Sequence, residues 1–182
     1  MSQDNNKLLA AAAFAAERHC NQKRKDIDAS PYINHPLAVA SLLANIGQVS
    51  DVDLLIAAIL HDTVEDTETS IVEIEEEFGA PIAKLVAEVT DDKSLPKAER
   101  KQLQITSAAK KSNGAKMLKI SDKICNVNDI DQHSPIGWDI KRKSKYLDWA
   151  VSVIAGCRGV NKDLDHAFDQ AIEKARARLM DV

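Results

Sequence analysis

The chain has 182 residues, of which 45% are hydrophobic and 29% charged, so its composition is that of one folded globular domain and excludes a disordered protein. No stretch is long and apolar enough to span a bilayer, which argues against a membrane protein. The net charge of −4 argues against a nucleic-acid binder, since such proteins are usually basic. An anionic small substrate that meets a local basic patch is still allowed.

Cysteine content and the first residues bear on the compartment. Cys20, Cys125 and Cys157 are odd in number and share no C-x-x-C spacing, so we expect reduced thiols in a cytoplasmic protein. An apolar run over residues 8–16 is flanked by charged residues on both sides. This pattern predicts an alanine-rich helix that packs, and not a signal peptide.

Caps and breakers divide the chain into helices. Pro36 suits the first position of a helix and keeps His35 out of helical geometry, while Ser70 with Glu73 forms a capping box. Few glycines and prolines and no internal repeat indicate a single all-helical domain. The approximate helices predicted in this way are 5–22, 36–47, 71–78, 82–89, 98–111, 115–130 and 161–180, together with a buried helix that is capped by Ser50 or Asp51 and runs to 60 and a long helix from 135 to 156 or 159.

Residues 60–67 hold the most informative pattern in the chain. They follow an apolar helix that is predicted to be buried, and they place His61 beside Asp62 with Glu65 and Asp66 about one turn later. If His61 and Asp62 lie on that helix, they are about 100° apart and can meet only at a point between helices. Because an unpaired charge there is costly, a bound cation is the simplest way to stabilise the cluster.

Two distant side chains can complete such a metal site. His35 can supply a second imidazole, and Asp122, among the apolar residues of a later helix, can supply a second carboxylate. This mixed nitrogen and oxygen set suits one Mn²⁺, Fe²⁺ or Zn²⁺ ion and leaves positions open for water, as a catalytic metal requires. Purely structural interpretations are also open: His35 as a turn or cap histidine, Asp122 as an ordinary ion-pair partner, and Glu65 with Asp66 as a solvated acidic face at a helix end.

Seven stretches then carry a resemblance to a known family; they are residues 24–26, 31–36, 60–67, 78–79, 89–93, 119–126 and 146–150. With them the chain resembles the HD-domain phosphohydrolases, and among these the ppGpp hydrolase domain of the RelA/SpoT family. The similarity is greatest to the stand-alone small alarmone hydrolases, the MESH-like members. No synthetase or regulatory sequence follows, so the resemblance implies a hydrolase only.

The resemblance implies an HD-type helical bundle over residues 1–182 that hydrolyses the 3′-pyrophosphate of (p)ppGpp with manganese. The products would be GDP or GTP and pyrophosphate, and the reaction would end the stringent-response signal. The positions that match metal ligands are His35, His61, Asp62 and Asp122, and those that match the catalytic acidic pair are Glu65 and Asp66. The positions that match nucleotide contacts are Arg24, Lys25, Lys97, Asn126, Arg142 and Tyr146.

Two alternatives stay open at this stage. The first is a phosphatase that acts on another nucleotide, such as the 2′-phosphate of NADPH, because the same metal chemistry serves both substrates. The second is a non-catalytic sensor that binds the alarmone, although a sensor is expected to lose ligands or the acidic pair, and this chain keeps all six. The oligomeric state is not predicted.

Other histidines and the tryptophans are expected to serve the fold alone. His19, His133 and His166 are predicted to lie on polar surfaces. Trp138 and Trp149 are predicted to lie on one long helix, where large aromatic side chains usually pack in the core.

Overall fold

The computed structural model describes residues 3–132 and 134–180, and within them it contains helices and no β-strand beyond one isolated bridge between Lys23 and Pro31. The all-helical prediction is therefore confirmed. No described helix combines the length and apolarity that crossing a membrane requires. Helices α1 to α10 span Gln3–Arg18, Asn34–Asn45, Val52–Leu60, Thr63–Asp66, Ile71–Phe78, Ala80–Val89, Lys97–Ser107, Asn113–Gln132, Ile140–Ala155 and Lys162–Met180, and a 3₁₀ helix at Ala108–Lys110 follows α7.

Two helices run through the core and position the site. The predicted buried helix is α3, which packs against α1, α2 and α6 with Leu54, Ile56 and Leu60 buried. Helix α8 packs against α2, α6, α9 and α10. Each buried leucine or isoleucine contributes about 1.5–3 kcal/mol, so the ends of α3 and the middle of α8 are held firmly in place.

The sequence offers Ser50 or Asp51 as the cap of the buried helix and Ser70 as the cap of the next one, and Asp51 and Ser70 form these caps. The Asp51 carboxylate accepts hydrogen bonds from the backbone amides of Asp53, at 3.0 Å, and Leu54 at the start of α3. Ser70 accepts one from the amide of Glu73 at 3.1 Å. The capping box is only half formed, because the Glu73 carboxylate pairs with Arg18 at 2.5 Å instead of returning to Ser70.

The prediction that the first helix extends to residue 22 is wrong. Helix α1 ends at Arg18 because the backbone beyond it pairs with a later segment. The Gln22 carbonyl accepts from the Tyr32 amide at 3.1 Å, and the Arg24 amide donates to the Ser30 carbonyl at 2.8 Å. These long-range bonds replace the helical bonds that the local sequence favours.

The second helix also begins elsewhere than predicted, and the expectation that His35 lies outside it is wrong. Helix α2 starts at Asn34, so His35 and Pro36 both lie in its first turn. Proline is tolerated there because its missing N–H would have no helical acceptor. The amide of His35 donates to the Tyr32 carbonyl at 2.9 Å, so a turn leads directly into the N-terminus of α2.

Helix α9 starts at Ile140, five residues later than the predicted 135. Gly137 has a positive φ of 76°, which breaks the helical path, and Asp139 caps the helix by accepting from the Arg142 amide at 2.7 Å. The Ile136 amide donates to the Lys25 carbonyl at 2.9 Å, so this segment is tied to the loop after α1.

A glycine at the end of α9 allows a close approach that can be tested. An added Cβ at Gly156 would lie 2.7 Å from the Cβ of Ala108 and 3.0 Å from the amide nitrogen of Ala109. We expect Gly156→Ala to lower the free energy of unfolding by about 1–3 kcal/mol, the usual cost of overpacking. Urea denaturation of the variant and of wild type measures this difference in the free energy of unfolding. Gly114→Ala is the control, because its Cβ would meet the movable methyl end of Leu85, and equal midpoints for Gly156→Ala and wild type would contradict this packing.

Candidate active site

His61 and Asp62 come at the end of the buried helix α3, as predicted, but they lie in a turn between α3 and α4 and not on one continuous helix. The helix stops because side chains take its last carbonyls: His61 Nδ1 donates to the Ala58 carbonyl and Thr63 Oγ1 to the Leu60 carbonyl, each at 2.7 Å. The turn brings both polar side chains to one point, with His61 Nε2 3.2 Å from Asp62 Oδ2.

The four side chains predicted as metal ligands come together from α2, this turn and α8. His35 Nε2 lies 3.6 Å from Asp62 Oδ2 and 3.2 Å from Asp122 Oδ1, and His61 Nε2 lies 3.9 Å from Asp122 Oδ1. The ligand atoms of His35, His61 and Asp62 all lie within 4.8 Å of one another. These four side chains form the four-residue cluster, which borders a cavity of about 160 Å³.

The hydrogen bonds of this cluster fit a divalent ion. Because His61 Nδ1 donates to a carbonyl, Nε2 is the nitrogen left to face an ion, and that buried atom lies beside the Asp62 carboxylate without forming a hydrogen bond. A buried polar atom without a partner costs about 1–3 kcal/mol. A carbonyl that orients one imidazole nitrogen while the other faces a metal is the usual arrangement around bound ions. Two imidazoles and two carboxylates suit Mn²⁺, Fe²⁺ or Zn²⁺.

The charges of the cluster shift one another's pKa values. Burial alone would lower the pKa of His61, but the charges of Asp62 and Asp122 raise it to about 9. A bound ion would therefore take the place of a proton on this imidazole. Burial alone would raise the pKa of Asp62, but the charges of His61 and His35 hold it well below its usual range. The carboxylates are therefore ionised, as metal ligands must be.

Neighbouring side chains fix both carboxylates. The Tyr32 hydroxyl donates to Asp62 Oδ2 at 2.7 Å. Lys123 Nζ donates to Asp122 Oδ2 at 2.7 Å, and the Asn126 amide donates to Asp122 Oδ1 at 2.5 Å. Such partners orient the oxygens that a metal would meet.

Removal of the tyrosine hydroxyl tests this support. We expect Tyr32→Phe to weaken Mn²⁺ binding about 10-fold or more, because partners of ligating carboxylates are typically worth about 10–100-fold in metal affinity. Titration of metal-free protein with Mn²⁺, followed by calorimetry, measures the change. Unaltered affinity in Tyr32→Phe would contradict this role of the hydroxyl.

The predicted acidic pair, Glu65 and Asp66, borders the same cavity. Glu65 is half-buried, and burial raises the pKa of its carboxyl group. Its Oε2 accepts from the Asp91 amide at 3.2 Å, and its Oε1 lies 3.7 Å from the Arg100 guanidinium. Asp66 forms an ion pair with Lys93.

A second cavity, of about 420 Å³, adjoins the cluster. Four of the six predicted nucleotide contacts line it: Arg24, Lys25, Asn126 and Tyr146. Arg24 is not a free cation, because it pairs with Asp129. Burial alone would lower the pKa of Arg24, but the charge and hydrogen bond of Asp129 raise it. Trp138 also lines this cavity from the loop before α9, so its assignment to a core position on a long helix is wrong.

A third cavity, of about 390 Å³, is strongly basic. The remaining predicted contacts, Lys97 and Arg142, line it. Burial lowers the pKa of Lys101, and repulsion by neighbouring cations lowers it further. The cavity also holds cations that the sequence analysis missed, namely Arg100, Lys101 and Lys145. The spacing of Lys97, Arg100, Lys101 and Gln104 (i, i+3, i+4, i+7) marks one face of a helix and could have indicated them.

Two of the histidines that were expected on polar surfaces can be placed. His19 is buried, with 2% of its surface exposed, so that prediction is wrong. His166 is exposed on α10, as expected. The expectation for His133 lies outside the described residues.

Known proteins with similar sequences and structures give the family. The HD domain model matches residues 11–135. The chain is 46% identical over 174 residues to the mouse guanosine-3′,5′-bis(diphosphate) 3′-pyrophosphohydrolase MESH1, covering 96% of this chain and 97% of that protein. It is 49% identical to the protein of that name from Xenopus tropicalis, covering 94% and 99%.

A solved structure agrees with these relatives. It is of a metazoan orthologue of SpoT that hydrolyses ppGpp and plays a role in starvation responses. It superposes with a TM-score of 0.90 at 42% identity and covers 92% of this chain and 94% of its own. The chain therefore belongs to the HD domain family, among its MESH1-like members.

Proposed function

We propose that this chain is a metal-dependent enzyme that hydrolyses the 3′-pyrophosphate of (p)ppGpp, giving GDP or GTP and pyrophosphate. The observation that carries the proposal is the four-residue cluster, which shares its cavity with an acidic pair. Two larger cavities, lined by cations and aromatic rings, share lining residues with that cavity. The relatives named above carry this activity in their names.

His35, His61, Asp62 and Asp122 would hold one divalent ion, and we propose Mn²⁺ as that ion. When bound, such an ion acts as a Lewis acid that makes water more acidic and neutralises phosphoryl charge. The ionised carboxylate of Asp62 and a buried imidazole nitrogen of His61 that forms no hydrogen bond support this assignment. Tyr32, Lys123 and Asn126 would keep the ligand oxygens in place.

Glu65 and Asp66 would orient the attacking water and take its proton. The raised pKa of Glu65 favours proton uptake, because a general base works best when its pKa approaches the working pH. The amide of Asp91 and the guanidinium of Arg100 hold its carboxylate toward the cavity.

The two larger cavities would bind the rest of the nucleotide. Arg24, Lys25, Asn126 and Tyr146 would surround the nucleoside, while Lys97 and Arg142 would pair with phosphates. Lysine and arginine are the usual partners of phosphate oxygens. A local basic cavity reconciles an anionic substrate with an acidic chain.

We further propose that residues 1–182 act as one HD-type phosphohydrolase domain that needs no nucleic-acid partner and works in the cytoplasm. The three free cysteines are consistent with a reducing compartment.

Product analysis tests the proposal. Purified protein should release pyrophosphate and GDP from ppGpp in the presence of Mn²⁺ and lose this activity with a chelator. NADPH, assayed under the same conditions, should be the poorer substrate by kcat/KM. Faster release of phosphate from NADPH would instead favour the other phosphatase, and binding of ppGpp without turnover would favour a sensor.

A further inference from the structure

The buried histidine His19, which was expected on a polar surface, contacts two side chains that bond to Asp62 and Asp66. His19 directly follows α1, with 2% of its surface exposed. Its Nε2 is buried and has no hydrogen-bond partner. If the position served packing alone, an apolar ring would fill it without that cost, so the imidazole needs another explanation.

One chain of hydrogen bonds runs from His19 to the acidic pair. His19 Nδ1 lies 2.5 Å from Gln22 Oε1, and Gln22 Nε2 donates to the Asp66 backbone carbonyl at 2.6 Å. Because the amide must present its NH₂ group to that carbonyl, its oxygen faces His19, and Nδ1 must be the donor. Asp66 ends α4, where carbonyls lack helical partners, so Gln22 supplies the missing donor.

A second contact runs from the same ring to the four-residue cluster. The imidazole of His19 packs on the ring of Tyr32, with centroids 4.9 Å apart and planes tilted by 32°. The Tyr32 hydroxyl in turn donates to Asp62 Oδ2 at 2.7 Å. A single side chain thus supports both Asp62 and Asp66.

We propose that His19 is a positioning residue for the reaction: its Nδ1–H orients Gln22 and thereby fixes Asp66, while its ring supports Tyr32 and thereby fixes Asp62. The activity readouts rest on the proposed function. The two contacts use different parts of the imidazole, so different substitutions can separate them.

Two substitutions at His19 divide its roles. His19→Phe keeps a ring on Tyr32 but removes the donor, so we expect kcat to fall about tenfold or more with unchanged Mn²⁺ affinity. A displacement of about 1 Å can cost about 10²-fold in rate. His19→Asn keeps a donor near the Nδ1 position but removes the ring. It should retain most of kcat at saturating Mn²⁺ while binding Mn²⁺ more weakly, by about 10-fold or more.

A double-mutant cycle tests the connection through the amide. Gln22→Leu removes the donor to the Asp66 carbonyl, so it should lower kcat as His19→Phe does. If both act through one carbonyl, the double variant should be no slower than Gln22→Leu alone. His166→Phe is the matched control, because that histidine also neighbours a glutamine, Gln170, but on the exposed face of α10.

Hydrogen exchange of metal-free protein supplies a readout that needs no turnover. In His19→Phe, backbone amides of residues 61–67 should exchange faster than in wild type, and in His166→Phe they should not. The proposal would be overturned if His19→Phe had the same amide exchange rates and the same kcat as wild type. It would also be overturned if the losses of kcat in His19→Phe and Gln22→Leu multiplied in the double variant. A wild-type protein that releases no pyrophosphate would refute the proposed function alone, since exchange still tests His19.

Discussion

Asp66→Asn is expected to lower kcat for ppGpp by about 10²–10⁴-fold while KM changes little, because general-base assistance is typically worth that much. The amide matches the carboxylate in size but cannot accept the proton of the attacking water. Glu65→Gln should have a comparable effect, and the double variant should be little worse than either, since residues that act as a unit are not additive.

Steady-state release of pyrophosphate measures this effect. Glu68→Gln is the matched control, because that carboxylate lies two residues further on and is exposed. It should keep the wild-type rate. Near-normal turnover in Asp66→Asn would remove Asp66 from the mechanism, and a large rise in KM alone would assign it to substrate binding.

His61→Ala is expected to weaken Mn²⁺ binding by more than about 100-fold and to abolish measurable turnover at micromolar Mn²⁺. Even the partners of metal ligands are worth about 10–100-fold, so a direct ligand should exceed that range. The loss has a geometric reason: Nε2 of His61 lies within 3.9 Å of oxygens from both Asp62 and Asp122, so its removal takes away the imidazole that faces both carboxylates.

Binding isotherms of metal-free protein test this expectation. His166→Ala is the control, because His166 is exposed on α10, far along the chain from the cluster. Circular dichroism should show that both variants stay helical. If His61→Ala binds Mn²⁺ as tightly as wild type, the ion is held elsewhere.

The features that local sequence determines were predictable. The apolar run of α3 indicated a buried helix, and caps at Ser50 or Asp51, at Ser70 and at Asn161 indicated where α3, α5 and α10 begin. Capping depends on side chains within three residues of the helix start, so its signal is visible without the fold. The four-residue cluster also comes together as the sequence analysis expected, and its role as a ligand set stays a prediction.

Features that depend on long-range contacts were not predictable. Helix α1 ends early because the backbone of Gln22 bonds to that of Tyr32. The same bond brings the ring of Tyr32 onto His19, which helps to bury it. Neither leaves a local pattern. The basic face of α7 did have a signal in its spacing, but without a neighbouring cavity such spacing equally describes a solvated helix.

One measurement tests the central claim most directly: a count of the Mn²⁺ ions bound per chain, combined with product analysis on ppGpp, for wild type and for Asp62→Asn. The account predicts one ion per wild-type chain, pyrophosphate and GDP as products, and loss of both ion and products in Asp62→Asn. Release of pyrophosphate that persists in Asp62→Asn or in a chelator would contradict it.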